Sequence, residues 1–202
     1  MKRLFLSSAF NQVADKLVQL IPNPKGMKAV FVPTAKEPYA DTPWADLDFK
    51  KLQDLGFEVS EYDIKGRTED QICSDLKNID VIFVCGGNSF YLLYHAKISG
   101  FDKAVVRLVD EGKIYIGSSA GSSITGPNIE LTKTIDKLEA APDLKAFDAL
   151  NLTNFIVLNH MNNPKYTEKN QKILREYKGP ITLVPINDDQ AVLVEGDQYK
   201  VI

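Results

Sequence analysis

Lys113-Ile114-Tyr115-Ile116-Gly117-Ser118-Ser119-Ala120-Gly121-Ser122-Ser123-Ile124 is the stretch from which the rest of the chain can be read. Its first half is a short β-branched and aromatic run that predicts a buried strand. The strand runs directly into Gly-Ser-Ser-Ala-Gly, a G-x-S-x-G pattern of the nucleophile-elbow type. Turning from strand to helix within about one residue forces the central Ser119 into a strained backbone and lifts its hydroxyl clear of the sheet. The turn is crowded, so it needs small neighbours, and Gly117, Ala120 and Gly121 supply them. The N–H of Ala120, just after Ser119, is then an oxyanion donor. Gly/Ser-rich loops after strands are common, so this pattern needs partners elsewhere before it means chemistry.

Working outward, the upstream half alternates strands with helices. Residues 2–8 read as a first strand ending in Ser-Ser. Val13, Leu17, Leu20 and Ile21 predict an amphipathic helix over 11–21, closed by Pro22. A strand over 28–33 leads into a loop over 34–44, and Leu47, Phe49, Leu52 and Leu55 mark a helix stopped by Gly56. A strand over 58–64 and a helix over 69–79 follow. The nearly continuous apolar run 80–85 is a strand delivering Gly86-Gly87-Asn88-Ser89, and helices over 89–96 and 103–110 lead to the elbow. This alternation implies βαβ units and a mostly parallel sheet, covered by helices on both faces. In such sheets ligands bind outside the carboxyl ends of the strands, where both glycine turns lie.

Downstream, residues 128–152 have no clean period and read as a long excursion. A strand over 155–158 delivers Asn159-His160, and 166–177 reads as a polar helix with Ile173 and Leu174 inward. Strands over 181–186 and 191–195 flank Asn187-Asp188-Asp189-Gln190, and a short strand over 199–202 follows. With 202 residues and no repeat or linker, the expectation is one α/β domain over 1–202. Its near-neutral net charge of −3 argues against nucleic-acid and membrane partners. Cys73 and Cys85 fall in apolar segments and read as reduced core residues rather than a disulfide framework. The apolar run after Met1-Lys2-Arg3 is too short for a signal peptide and no stretch spans a membrane, so a cytoplasmic protein is expected. A homodimer stays open.

A nucleophilic serine needs a base and a third group that holds the imidazole. Of the two histidines, His95 lies within a helix and reads as a helix-surface or partly buried residue. His160, at a strand end, has the position of a base. Asp188 and Asp189 offer a carboxylate in the turn downstream, although Asn-Asp-Asp is also ordinary turn chemistry. The Gly86-Gly87-Asn88 turn lacks a nucleotide-binding pattern. Its N–H groups are better read as the second oxyanion donor, with Gly87 favoured and Asn88 positioning either substrate or loop.

The turn 86–93, the elbow 116–121, Phe-Asp-Ala-Leu-Asn-Leu at 147–152 and Asn-His at 159–160 together resemble the peptidase E (aspartyl dipeptidase) family, which includes cyanophycinase-like serine hydrolases. The similarity runs over nearly the whole chain in the same order. It implies a doubly wound, flavodoxin-like α/β/α sandwich akin to class I glutamine amidotransferases. It also implies a serine peptidase for short peptides that uses a Ser-His-carboxylate arrangement, with no metal and no cofactor. Ser119 matches the nucleophile and His160 the base. The family's acid is commonly Glu, three positions before the residue opening the next strand. Counting back from Ala191 gives Asp188, with Asn187 and Asp189 as rivals. Aspartyl dipeptidases grip the substrate's acidic side chain with an Arg after the histidine. The matching position holds Lys169, which lacks the bidentate fork, so strict preference for N-terminal Asp does not follow. Lys165 and Lys172 are alternative bases for such a pocket. Two other readings compete. An α/β-hydrolase-type esterase would need Asp136, Asp143 or Asp148 as its acid, between serine and histidine. A retired α/β domain would bind without catalysis.

Overall fold

The computed structural model describes residues 1–202. Its central sheet is built from strands β1 (Arg3–Ser7), β2 (Lys28–Val32), β3 (Glu58–Glu61), β4 (Val81–Val84) and β5 (Ile114–Ser118), all parallel, with β8 (Ala191–Glu195) and β9 (Gln198–Val201) added antiparallel at one edge. The order across the sheet is β3-β2-β4-β5-β1-β8-β9. The inner strands are apolar throughout because each face of the sheet is covered by helices. Successive side chains alternate between two cores. Leu4, Leu6, Val30, Val32, Ile82, Val84 and Tyr115 enter one, packed under α4 (Ser89–Ser99) and α5 (Phe101–Asp110) through Phe90, Leu93, Phe101 and Val105. Phe5, Phe31, Phe83 and Ile116 enter the other, under α1 (Phe10–Val13) and α2 (Pro43–Asp54). In that second core the Phe31 and Phe83 rings stack at 5.1 Å, and the Phe10 ring meets Phe83 edge-on at 4.9 Å. Each such fully buried side chain contributes roughly 1.5–3 kcal/mol relative to exposure. No helix is long and apolar enough to cross a membrane.

Register fixes where the functional turns emerge. Ser7 of β1 lies opposite Ser118 of β5, and Val84 of β4 lies opposite Gly117 of β5. Ser8, Gly86-Gly87 and Ser119 therefore leave three adjacent strands at the same carboxyl edge. The elbow continues into α6 (Ala120–Ser123), which lies almost on the backbone of β4. A Cβ at Gly121 would sit 2.0 Å from the Val84 carbonyl oxygen.

Several local expectations are corrected. The helix expected over 11–21 is one α-turn, α1, followed by a 3-10 segment over Ala14–Gln19. Its buried residues Phe10, Val13, Ala14 and Leu17 include three-residue spacings, which a 3-10 helix stacks on one face. The helix at 69–79 is shorter, α3 (Glu69–Asp75), opened by a reciprocal Thr68/Gln71 capping box. The strand expected over 181–186 is Thr182–Pro185 and lies outside the main sheet. As β7 (Thr182–Pro185) it pairs in parallel with β6 (Phe155–Leu158) in a separate two-stranded sheet. Helix α7 (Thr167–Glu176) buries Asn170 and Ile173, whereas Leu174, also expected inward, is exposed. Cys85 is buried, Cys73 half-buried, and both are free.

The approach of α6 to β4 gives a direct prediction. Gly121→Ala sets its methyl against the Val84 carbonyl, a backbone group of a central strand that cannot swing aside. Urea unfolding should show a loss of at least about 3 kcal/mol, the upper end of ordinary overpacking. Unchanged stability would mean the two backbones are further apart than described.

Candidate functional site

Ser119 has φ 49° and ψ −105°, the strained conformation expected for an elbow. Neighbouring groups hold it there. The Ser119 N–H donates to the Ser7 carbonyl at 2.9 Å, and the Ser122 hydroxyl donates to the same oxygen at 2.8 Å. The Ser7 hydroxyl returns a bond to the Gly117 carbonyl at 2.9 Å, and the fully buried Tyr115 hydroxyl donates to Gly121 O at 2.6 Å. Strain of the order of 1–3 kcal/mol persists only when it is over-determined in this way.

The hydroxyl of Ser119 lies 2.8 Å from His160 Nε2, and His160 Nδ1 lies 2.5 Å from Asp188 Oδ1. With Asp188 ionised, Nδ1 carries the proton and Nε2 is free to accept from the serine. Burial works to raise the Asp188 carboxyl, but hydrogen bonds from His160, Asn163 and Ser8 hold it at about 2. The Asn163 amide donates to Asp188 Oδ2 at 2.9 Å, and the Asp188 N–H donates to Asn162 Oδ1 at 2.8 Å. Asp189 is exposed, and only its backbone carbonyl is engaged, by Lys16. Asn187 has no contact with the imidazole; its N–H donates to Gln190.

Four residues that the sequence reading gave no separate role complete this arrangement. Ser8 is 1% exposed, and its hydroxyl donates to Asp188 Oδ1 at 2.9 Å, accepts the His160 N–H at 2.7 Å and lies 3.1 Å from His160 Nδ1. It therefore pins a histidine whose own backbone is left-handed, φ 65°. Asn159 donates to the Ser119 carbonyl at 3.1 Å and to the Ser123 hydroxyl at 3.0 Å. The Tyr166 ring stacks on the imidazole at 5.1 Å, and Asn163 completes the set. Only the position of Ser8 at a strand's carboxyl end could have drawn notice beforehand.

The N–H groups of Gly87 and Ala120 have no acceptor within the protein. Gly87 has φ 147°, and a Cβ there would lie 2.0 Å from the Ala35 carbonyl oxygen, so only glycine lets this turn approach its neighbour. Of the two roles open to Asn88, its contacts fill the structural one. Its Oδ1 caps α4 by accepting from the Phe90 and Tyr91 N–H groups, and its amide donates to Lys137 O. Lys169 is corrected: it is exposed on α7 and does not line the cleft, because the inward face of that helix is Asn170 and Ile173. Lys165, in the loop before the helix, does line it, with its ammonium 5.0 Å from the Tyr166 ring centre. Lys172 is exposed. His95 sits half-buried in α4, away from the cleft.

The cleft above Ser119 and His160 has a volume of ≈ 620 Å³, and its walls include Tyr39, Trp44, Ile135, Asp136, Lys165 and Tyr166. Asp136 accepts the Ser89 N–H rather than holding the histidine, while Asp143 and Asp148 are exposed. The acid on His160 thus follows the histidine in the chain, which does not favour the esterase order.

A second carboxylate, Asp48 of α2, is fully buried. Its Oδ1 accepts the Asn11 N–H and amide at 2.9 Å each, and its Oδ2 has no partner. Burial pushes its carboxyl up to about 6, against the hydrogen bonds from Asn11.

Comparison with known proteins identifies the family. A family model described as "Peptidase family S51" matches residues 4–202. An uncharacterized peptidase of Listeria monocytogenes is 38% identical over 198 residues, covering 98% of this chain and 97% of the relative. Peptidase E of Streptomyces coelicolor is 29% identical over 182 residues, 87% of this chain and 71% of the relative. A crystal structure provisionally assigned to peptidase E, from Listeria monocytogenes EGD-e, superposes with a TM-score of 0.94 at 37% identity, covering 100% of this chain and 98% of the other.

Asp48 yields a pH prediction. Its folded-state pKa, about 6, lies above the ordinary carboxylate value. Between the unfolded and folded values the native state binds the extra proton, so stability falls as pH rises through that window. Urea melts from roughly pH 4 to pH 6 should show this decline in the wild type and a shallower one in Asp48→Asn. Parallel curves would refute it.

Proposed function

We infer that this chain, which belongs to peptidase family S51 and is a serine peptidase, hydrolyses short peptides from the amino-terminal end with Ser119 as nucleophile, His160 as base and Asp188 as orienting acid. The observation that carries this reading is the unbroken relay from the Ser119 hydroxyl through both imidazole nitrogens to Asp188 Oδ1, at 2.8 and 2.5 Å. Ser119 Oγ attacks the scissile carbonyl as its proton passes to His160 Nε2. The imidazolium is stabilised by Asp188, which stays ionised throughout. Charge that develops on the carbonyl oxygen is met by the free N–H groups of Gly87 and Ala120, fixed before the reaction begins. His160 then protonates the leaving amine, and a water activated by the same imidazole releases the acyl group. Ser8 acts one step back, as a positioning residue for both histidine and carboxylate.

Specificity follows from the walls. The basic side chain at the cleft is Lys165, an exposed, mobile point charge. It attracts an acidic side chain without the two parallel bonds that make a guanidinium selective. A profile open to neutral residues is the outcome.

Ser119→Ala should remove nearly all turnover, on the order of a million-fold, while the fold persists. Asp188→Ala should cost less than that, and Asp189→Ala almost nothing. Ser8→Ala should lower kcat by less than the ~10⁴-fold attached to losing an orienting carboxylate. It should also shift the pH profile, because the imidazole loses a fixed neighbour. Steady-state kinetics on Ala-Leu test the set, and a wild-type rate in Asp188→Ala would end the acid assignment.

Asp-Leu, Ala-Leu and Met-Leu should have kcat/KM values within a modest factor of one another, and Lys169→Arg should leave the pattern unchanged. An enzyme that cleaves only the Asp peptide would contradict the open profile. Stoichiometric fluorophosphonate labelling at Ser119 separates this enzyme from a domain that only binds.

A further inference from the structure

We propose that the end of the cleft over α2 receives the residue that departs with the leaving amine, and that it takes an apolar side chain whose own carboxyl group is held in an amide. Tripeptides, longer peptides and amidated dipeptides then fit better than free dipeptides. The inference rests on the reading of Ser119, His160 and Lys165 given above, and it supplies the substrate class of the opposite end.

The cleft straddles the carboxyl edge of the sheet, so it has two ends. Ile135, Lys165 and Tyr166 close the end on the side of α4 and α6, to which the excursion is fastened through Asn88 and Lys137. Gln12, Pro43, Trp44 and Leu47 close the other end, on the side of α1 and α2. With the N-terminal side chain turned toward Lys165, the leaving residue is directed to the α2 end. That end reaches the nucleophile: the Trp44 indole N–H donates to the Gly86 carbonyl at 3.3 Å, and Gly86 lies against the Ser119 side chain. Its surface is apolar and open. Trp44 is half-buried, Tyr39 meets it edge-on at 5.8 Å, and Leu47, three residues further along the same helix face, is 52% exposed.

The charges at that end are of one sign. Lys165, at the far end, is the only lysine or arginine in the walls. Asp41 and Asp48 both line the α2 end. Asp41 is exposed and makes no ion pair, and Asp48 behind it keeps its Oδ2 buried without a partner. Asp46 occupies the first turn of α2, so the positive end of the helix dipole already faces a carboxylate. A free dipeptide carries its carboxylate two bonds from the leaving amine, and here that group meets like charges and no cation. An amide in its place removes the charge and brings an N–H that a carboxylate oxygen can accept.

The test reads binding apart from chemistry. Ala-Leu, its C-terminal amide and the amide of Ala-Gly are titrated calorimetrically into Ser119→Ala, alone and combined with Asp41→Asn, Asp41→Lys or Leu47→Ala. Both added sites are exposed, and matched thermal midpoints check the fold. The amide of Ala-Leu should bind about fivefold tighter than Ala-Leu, the upper end for one screened charge contact. Raising the salt should shrink that ratio, Asp41→Asn should narrow it, and Asp41→Lys should reverse it. The amide of Ala-Gly should bind about tenfold more weakly than that of Ala-Leu, a gap that Leu47→Ala reduces. Equal affinity of Ala-Leu and its amide, a ratio indifferent to Asp41, a gap indifferent to Leu47, or no binding of the Ala-Leu amide would overturn the proposal. Fluorophosphonate labelling of the wild type stands apart from these titrations. An unlabelled Ser119 with the binding ratios intact would remove the hydrolase reading and leave the subsite over α2.

Discussion

The site depends on how closely the elbow helix α6 lies against the end of β4. With no Cβ at Gly121, the helix backbone comes within van der Waals reach of the Val84 carbonyl. That approach draws the Gly86-Gly87 turn beside Ser119: a Cβ on Gly86 would touch the Ser119 side chain at 3.2 Å. A larger residue in α6 would push the serine away from the free N–H of Gly87. The same closeness leaves no room for Ser119 to relax, so its backbone strain is stored by packing rather than by its own sequence.

The second constraint is the Ser7 carbonyl, which receives both the Ser119 N–H and the Ser122 hydroxyl. One oxygen at the end of β1 thus sets the pitch of the elbow. Ser8, the next residue along, sets the imidazole. Two consecutive residues at the carboxyl end of β1 therefore hold Ser119 and His160 from opposite sides. Parallel strands make this economical, because their ends lie side by side without intervening loops.

What could be read beforehand follows from the range of each interaction. The sheet strands are legible because double-sided burial demands unbroken apolar runs. The elbow is legible because its strain and crowding demand glycine and alanine at fixed offsets. His160 stands out by scarcity, as one of two histidines and the one at a strand end. Longer-range facts were not encoded so locally. Ser8 is one serine among many until the fold sets it 152 residues away from its partner in sequence. The misassigned Lys169 shows the same limit, since a helix exposes or buries a residue by rotation. Here the inward direction is taken by Asn170, whose amide donates to Asn159 O at 2.6 Å. The irregular 128–152 segment offered no period at all, and its value lies in where Asp136 and Lys137 fasten to α4.

The bond between Ser8 and Asp188 spans 180 positions of the chain. A contact between positions so far apart carries the full entropy of closing that loop, so it holds only once the strands between them have paired. Loosening of the edge strand β8 alone would release Asp188 from the imidazole while the parallel strands that carry Ser7 and Ser118 stay paired.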